Sequence, residues 1–204
     1  MSALGLRKRI GVMGGAFDPP HLAHSGLAQL ACEQLQLDEL RVIPTGQAWH
    51  KPRDLTEASH RLAMARLAFA YLPKVTLDSR EIERAGPSYT IDTLNDIRGE
   101  WPGSELFLII GADQAKALTT WRAWQEIVQK AIICVADRAH SIGATSEFEA
   151  EKANPSRFRH LNMPAMAISA TEIRARISAH MSVTALVRES VARYIADHHL
   201  YQTV

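Results

Sequence analysis

Two apolar patterns take turns along this chain. Residues 10–13 form a short strand-like run, and Ala23, Leu27, Leu30, Ala31 and Leu35 then recur at helical spacing. Residues 40–44, Leu-Arg-Val-Ile-Pro, predict a strand ended by proline. A polar loop over 45–56 precedes a near-continuous apolar helix over 61–71, and a strand is predicted at 75–78. A second loop, 79–87, leads into a helical segment at 89–96. Residues 106–110, Leu-Phe-Leu-Ile-Ile, are the best candidate for a strand buried on both faces, broken by Gly111-Ala112-Asp113. Residues 131–135 repeat that pattern before Asp137-Arg138. The stretch 140–157 is polar and mixed and predicts a surface loop. The chain closes with a helix bearing Val187, Val191, Tyr194 and Ile195 on one face.

Strands alternating with helices argue for an α/β fold: a Rossmann-like, doubly wound, mostly parallel sheet with a small C-terminal helical subdomain. The division expected is 1–165 for the α/β part and 166–204 for the helical part, within the size of a single domain plus annex. In open parallel sheets ligands bind beyond the carboxyl ends of the strands. Three strands ending in glycine-rich or polar turns would therefore gather Gly14, Asp113 and Arg138 on one edge.

Composition narrows the partners. A hydrophobic content of 47% is ample for a packed core, and a net charge of +1 gives no general pull toward nucleic acid or membrane, so any working positive charge must be local. Arg7, Lys8 and Arg9 interrupt the N-terminus before a signal peptide could form, and no apolar run approaches spanning length. Cys32 and Cys134 lack metal or redox spacing and read as reduced core residues. A soluble, cytoplasmic protein is expected.

The chemistry concentrates in residues 14–24, Gly-Gly-Ala-Phe-Asp-Pro-Pro-His-Leu-Ala-His, between the first strand and first helix. Two glycines allow a tight turn, Pro19 and Pro20 suit a helix's first turn, and His21 and His24 can share one face. A helix start offers unpaired N–H groups and a positive dipole end, so the segment suits a polyphosphate. Neither a P-loop nor the Gly-x-Gly-x-x-Gly dinucleotide fingerprint is present. Asp18, His21 and His24 could instead ligate zinc, but no other Cys or His has partner spacing, and this ranks behind phosphate. A second cluster spans residues 168–174, Ile-Ser-Ala-Thr-Glu-Ile-Arg. Ser169 and Glu172 predict a capping box, with Ile168 and Ile173 at the staple positions, and Arg174 one turn in suits a phosphate.

The first cluster resembles the Gly-Gly-x-Phe-Asp-Pro-x-His-x-x-His signature of the nucleotidylyltransferase superfamily, and the second is similar to its Ile-Ser-x-Thr-x-Ile-Arg signature. Residues 86–94 (Gly-Pro-Ser-Tyr-Thr-Ile-Asp-Thr-Leu), residues 110–114 (Ile-Gly-Ala-Asp-Gln) and the tail 186–201 resemble the bacterial nicotinate-nucleotide adenylyltransferases. Ala16 departs from the more usual Thr or Ser, and Ala23 from the usual Gly. The resemblance implies transfer of AMP from ATP to nicotinate mononucleotide, with Mg2+ arriving on ATP and no protein metal ligand assigned. It implies catalytic roles for His21, His24, Lys51 and Arg174. ATP contacts would come from Gly14, Gly15, Ala16, Phe17, Gly111, Asp113, Arg138, Ile168 and Ser169. Trp121 would stack on the pyridine ring and Thr90 would receive its carboxylate, while Trp124 fills core. Thr90 and Asp113 could equally cap helices. Partners would be ATP and nicotinate mononucleotide, with no nucleic acid or membrane and a homo-oligomer left open. The alternatives are another nucleotidylyltransferase, such as one acting on a pantetheine phosphate, or a non-catalytic nucleotide sensor.

Overall fold

Period-two burial along the strands decides the architecture. In β4 (Glu105–Gly111), Leu106, Leu108 and Ile110 point into one core layer, while Phe107 and Ile109 point into another. In β5 (Ala131–Asp137), Ile133 and Val135 alternate with Ile132 and Cys134 in the same way. Successive side chains of a strand face opposite ways, so runs that are apolar at every position need helices on both faces. The computed structural model, which describes residues 7–46, 55–137, 148–164 and 166–202, has that three-layer arrangement.

Six parallel strands lie in the order β3-β2-β1-β4-β5-β6, with β1 at Arg9–Gly15, β2 at Glu39–Pro44, β3 at Val75–Leu77 and β6 at Phe158–Asn162. One face is covered by α1 (Leu22–Gln34) and α2 (Ala58–Phe69). Short α3 (Arg80–Glu83) precedes α4 (Thr90–Glu100), α5 (Ala112–Ala117) and α6 (Trp124–Lys130), and α4 to α6 cover the other face. After α7 (Glu149–Ala153) and β6 come α8 (Ala170–Ser178) and α9 (Glu189–Asp197). Ile173, Val187, Val191 and Ile195 from this C-terminal region share the core of Met13 and Phe17, so the tail is packed against the start of the chain.

The doubly wound parallel fold is as expected, but three local expectations are corrected. The described part of 140–157 is not only loop: Phe148 is 2% exposed, and α7 follows it. Strand β6 was not expected, because Phe-Arg-His-Leu-Asn has only two apolar residues; pairing with β5 at the sheet edge supplies what its sequence lacks. Finally, Pro19 and Pro20 lie before α1, whose N-cap is His21, and not in its first turn. The free cysteines agree with expectation for Cys134, which is fully buried, while Cys32 is only half-buried against the core.

Gly11 lies where β1 meets the α1 side of the core. A Cβ there would fall 2.5 Å from Leu37 Cδ1 and 2.7 Å from Leu40 Cδ1. Replacing Gly11 with Ala is expected to overpack this layer and to cost about 1–3 kcal/mol, read as a lowered Tm.

Candidate active site

The site opens where the strand order reverses. Strand β1 pairs with β2 through Gly15, but with β4 only as far as Val12, so the carboxyl ends of β1 and β4 separate. Such a switch point leaves a crevice above the sheet. A cavity of about 290 Å3 fills it, with Gly14, Gly15 and Ala16 on one wall and Tyr89, Thr90 and Trp121 on another. Thr90 opens α4 but does not cap it; the N-cap is Tyr89. The Arg122 guanidinium lies 4.6 Å from the centroid of the Tyr89 ring at the cavity rim. Trp121 and Trp124 are both half-buried against the same core cluster.

Next to this wall the two histidines meet. Their rings are stacked, with centroids 3.7 Å apart, and the Phe17 ring stands edge-on to His24 at 5.1 Å. The backbone N–H of His21 donates to His24 Nδ1 at 3.2 Å, which fixes the second ring over the helix start. His21 is 8% exposed, and its buried Nδ1 has no hydrogen-bond partner among the described residues. Burial penalises the imidazolium, lowering the His21 pKa to about 4. A neutral His21 can stack closely on His24 without a repelling pair of charges.

Helix α8 brings the second cluster to the same place. Ser169 caps it, its Oγ accepting the Glu172 N–H at 3.1 Å. The expected reciprocal half of the capping box is absent, because the Glu172 carboxylate instead accepts from Arg176 at 3.0 Å. Arg174 Nη1 donates to the Asp18 carbonyl at 2.8 Å, across 156 positions of sequence, and Nη2 donates to Thr171 Oγ1 at 3.1 Å. Thus the C-terminal guanidinium sits against the turn that carries the histidines.

Asp18 organises that turn. It is 2% exposed; its Oδ1 accepts from the Tyr201 hydroxyl at 2.6 Å and its Oδ2 from the Thr56 N–H at 3.3 Å. Burial, and then the adjacent carboxylate, push the Tyr201 phenol above its ordinary range. No cluster of three or more potential metal ligands occurs among the described residues.

The remaining expected residues are more dispersed. Gly111 ends β4 as the N-cap of α5, its N–H donating to Gln114 Oε1 at 3.1 Å, and Asp113 is exposed in the first turn of α5 instead of capping it. Ile168 is half-buried before α8. Lys51 and Arg138 lie outside the described residues.

Three residues here escaped the sequence reading. Glu81 lines the cavity, receives the Thr93 hydroxyl at 2.7 Å and is 8% exposed. Its burial raises the carboxyl above the usual range, against hydrogen bonds from Thr93 and Thr45 that lower it. Tyr201 and Arg61 are the others. Arg61 shares the buried stripe of Met64, Ala65, Ala68 and Phe69, so a charge in the apolar register of α2 was a usable signal. Glu81 stood in a polar loop with no periodicity to mark it.

A family model described as cytidylyltransferase-like matches residues 12–176. A relative from Albidiferax ferrireducens, named "Probable nicotinate-nucleotide adenylyltransferase", is 64% identical over 196 residues, spanning 96% of this chain and 99% of its own. One of the same name from Methylibium petroleiphilum is 44% identical over 200 residues, spanning 96% and 93%. Among solved structures, a Plasmodium falciparum nicotinic acid mononucleotide adenylyltransferase complexed with NaAD superposes with a TM-score of 0.76 at 20% identity, over 96% of this chain and 98% of the other. That last likeness speaks to the fold alone.

His21 makes stability pH-dependent. Its folded pKa of about 4 lies below the unfolded value of 6.5, so the unfolded chain binds more protons between these limits. The free protein is therefore expected to lose up to about 3 kcal/mol as pH falls from 6.5 toward 4, and none of this above 6.5. Denaturation curves across that window should flatten in His21→Gln, and an NMR titration of the His21 ring should find its midpoint near pH 4.

Proposed function

The chain belongs to the cytidylyltransferase-like family and, within it, to the nicotinate-nucleotide adenylyltransferases; from that premise we propose how its cleft joins ATP to nicotinate mononucleotide. The enzyme is a nucleotidyltransferase of NAD biosynthesis whose products are nicotinate adenine dinucleotide and pyrophosphate. The observation that most supports our siting of the reaction is the Arg174–Asp18 hydrogen bond, which joins both phosphate-suited clusters at one cleft.

A phosphate oxygen of nicotinate mononucleotide attacks the ATP α-phosphorus. The new P–O bond forms as the bond to the bridging α–β oxygen breaks, and pyrophosphate leaves in line with the attack. The nucleophile is already anionic and needs no general base. The barrier is repulsion between two anions and charge gathering on the leaving group, so catalysis rests on positioning and electrostatic stabilisation.

Roles follow from place. His21 and His24 bind the triphosphate, with His24 on the leaving side. Gly14, Gly15, Ala16 and Phe17 offer backbone contacts at the turn, and Ala16 does so without a hydroxyl. Ser169 accepts the Glu172 N–H in the helix cap and keeps its hydroxyl proton for a phosphate oxygen, beside Arg174. In this assignment 166–204 serves as the part carrying the second phosphate motif, and 1–165 as the nucleotide-binding part. Ile168, Gly111 and Asp113 border the adenosine side. The parts given to Lys51 and Arg138 rest on the sequence resemblance. Trp121 stacks on the pyridine ring and Thr90 meets its carboxylate, a placement supported by their shared cavity.

Mg2+ would arrive on ATP, held mainly by phosphate oxygens and water, and no protein ligand is assigned to it. It would neutralise charge on the phosphates. A cytoplasmic location fits the near-neutral charge and the lack, among the described residues, of any helix long and apolar enough to cross a membrane.

Dinucleotide formation from ATP and nicotinate mononucleotide is the direct assay. His24→Ala and Arg174→Ala should each lower kcat/KM by about 100-fold or more; rates near wild type would reject their roles. Nicotinate mononucleotide should be preferred over the nicotinamide form, and an equal or reversed preference would discard the carboxylate pocket at Thr90.

A further inference from the structure

Arg61 is a charged side chain at 2% exposure, on a helix stripe otherwise made of Met64, Ala65, Ala68 and Phe69. A guanidinium is expensive to bury unless its donors are used. Here they reach three separate segments: Nε donates to the Thr56 carbonyl at 2.8 Å, Nη1 to the Ala16 carbonyl at 2.9 Å, and Nη2 to the Gly46 carbonyl at 3.4 Å. Thr56 precedes α2, Gly46 follows β2, and Ala16 belongs to the turn between β1 and α1.

The Ala16 bond bears on function through peptide geometry. Across a trans peptide the C=O and the following N–H point in opposite directions. With the Ala16 carbonyl drawn inward to Arg61, the Phe17 N–H is turned to the opposite side. The preceding peptide is held as well, since the Gly15 carbonyl accepts the Thr45 N–H at 2.9 Å. Phe17 itself is left-handed, with φ of 48°. Successive N–H groups around a left-handed residue form a concavity suited to anions. Gly46 is also closely held: a Cβ there would fall 1.9 Å from the Glu81 carbonyl oxygen, so that end of the clamp cannot drift toward α3.

We propose that Arg61 is a positioning residue for the triphosphate: by holding the Ala16 carbonyl inward and tying Gly46 and Thr56 to the same point, it aims the Phe17 N–H at a phosphate oxygen. This rests on the reading of the cleft as a triphosphate site. Through these bonds Arg61 acts on the backbone of the turn and not on substrate. Lysine cannot replace it, because one ammonium lacks the planar fork that spans three acceptors.

The test compares the full-length wild type with Arg61→Lys, using inorganic tripolyphosphate as the anion probe and nicotinate mononucleotide as the internal control. The Lys variant keeps the charge, so long-range attraction is unchanged. Its tripolyphosphate Kd and ATP KM should rise about tenfold or more, with the Kd for nicotinate mononucleotide within about twofold. Unchanged tripolyphosphate binding, or parallel loss of both ligands, would overturn the proposal, the second outcome marking a merely structural residue. A further measurement needs no variant: in the wild type, tripolyphosphate should shift the Phe17 amide resonance and slow its hydrogen exchange. A Phe17 amide indifferent to bound tripolyphosphate would also overturn it. A wild type that binds tripolyphosphate but forms no dinucleotide would sink the proposed activity while leaving the Arg61 comparison decisive.

Discussion

Carbonyl oxygens are the groups a phosphate site must keep away from its ligand, and in the Gly15–Asp18 turn three of them are drawn elsewhere. The Gly15 carbonyl accepts from Thr45, that of Ala16 from Arg61, and that of Asp18 from Arg174. Each donor comes from a different part of the chain. Removing these partial negative charges from the ligand side would matter as much as supplying positive ones for the triphosphate proposed to bind here, because dielectric screening in a cleft is weak. The histidines, the helix starts and the C-terminal guanidinium act on a turn already oriented in this way.

That orientation explains why the C-terminal segment is built into the core. Arg174 and Tyr201 both reach Asp18, one through its carbonyl and the other through its carboxylate. Around them Ile173, Val187, Val191 and Ile195 pack with Met13 and Phe17. The apolar contacts supply the adhesion and the polar contacts supply the register. The start of α1 joins the same assembly, since the Leu22 N–H donates to the Leu186 carbonyl at 3.0 Å.

The cavity beside this turn solves a second electrostatic problem. It is mostly apolar, yet it carries Glu81, and it lies beside a turn suited to anions. Burial raises the Glu81 carboxyl above its usual range, against the hydrogen bonds from Thr93 and Thr45 that lower it. The His21 imidazole is kept neutral by burial in the free protein. The region thus holds a neutral imidazole where solvent cannot screen a charge, and places its guanidinium groups where hydrogen bonds hold them.

Periodicity and motif spacing alone determined the alternating elements, the doubly wound sheet and the two phosphate-suited clusters, because each depends on residues near one another in sequence. The runs at 106–110 and 131–135 can be satisfied only by burial on both faces, whereas the expected glycine turn is displaced: Gly14 and Gly15 are the last residues of β1, and the left-handed residue is Phe17. Tertiary structure decided what depends on distant partners. Strand β6 exists because β5 offers an edge, not because Phe-Arg-His-Leu-Asn favours extension. Within α8 the sequence left a choice between two local partners open, and Glu172 bonds Arg176, four residues on, instead of closing a capping box. Arg61 and Tyr201 take their meaning from Ala16, Gly46 and Asp18, none of them within reach until the sheet and its covering helices have formed.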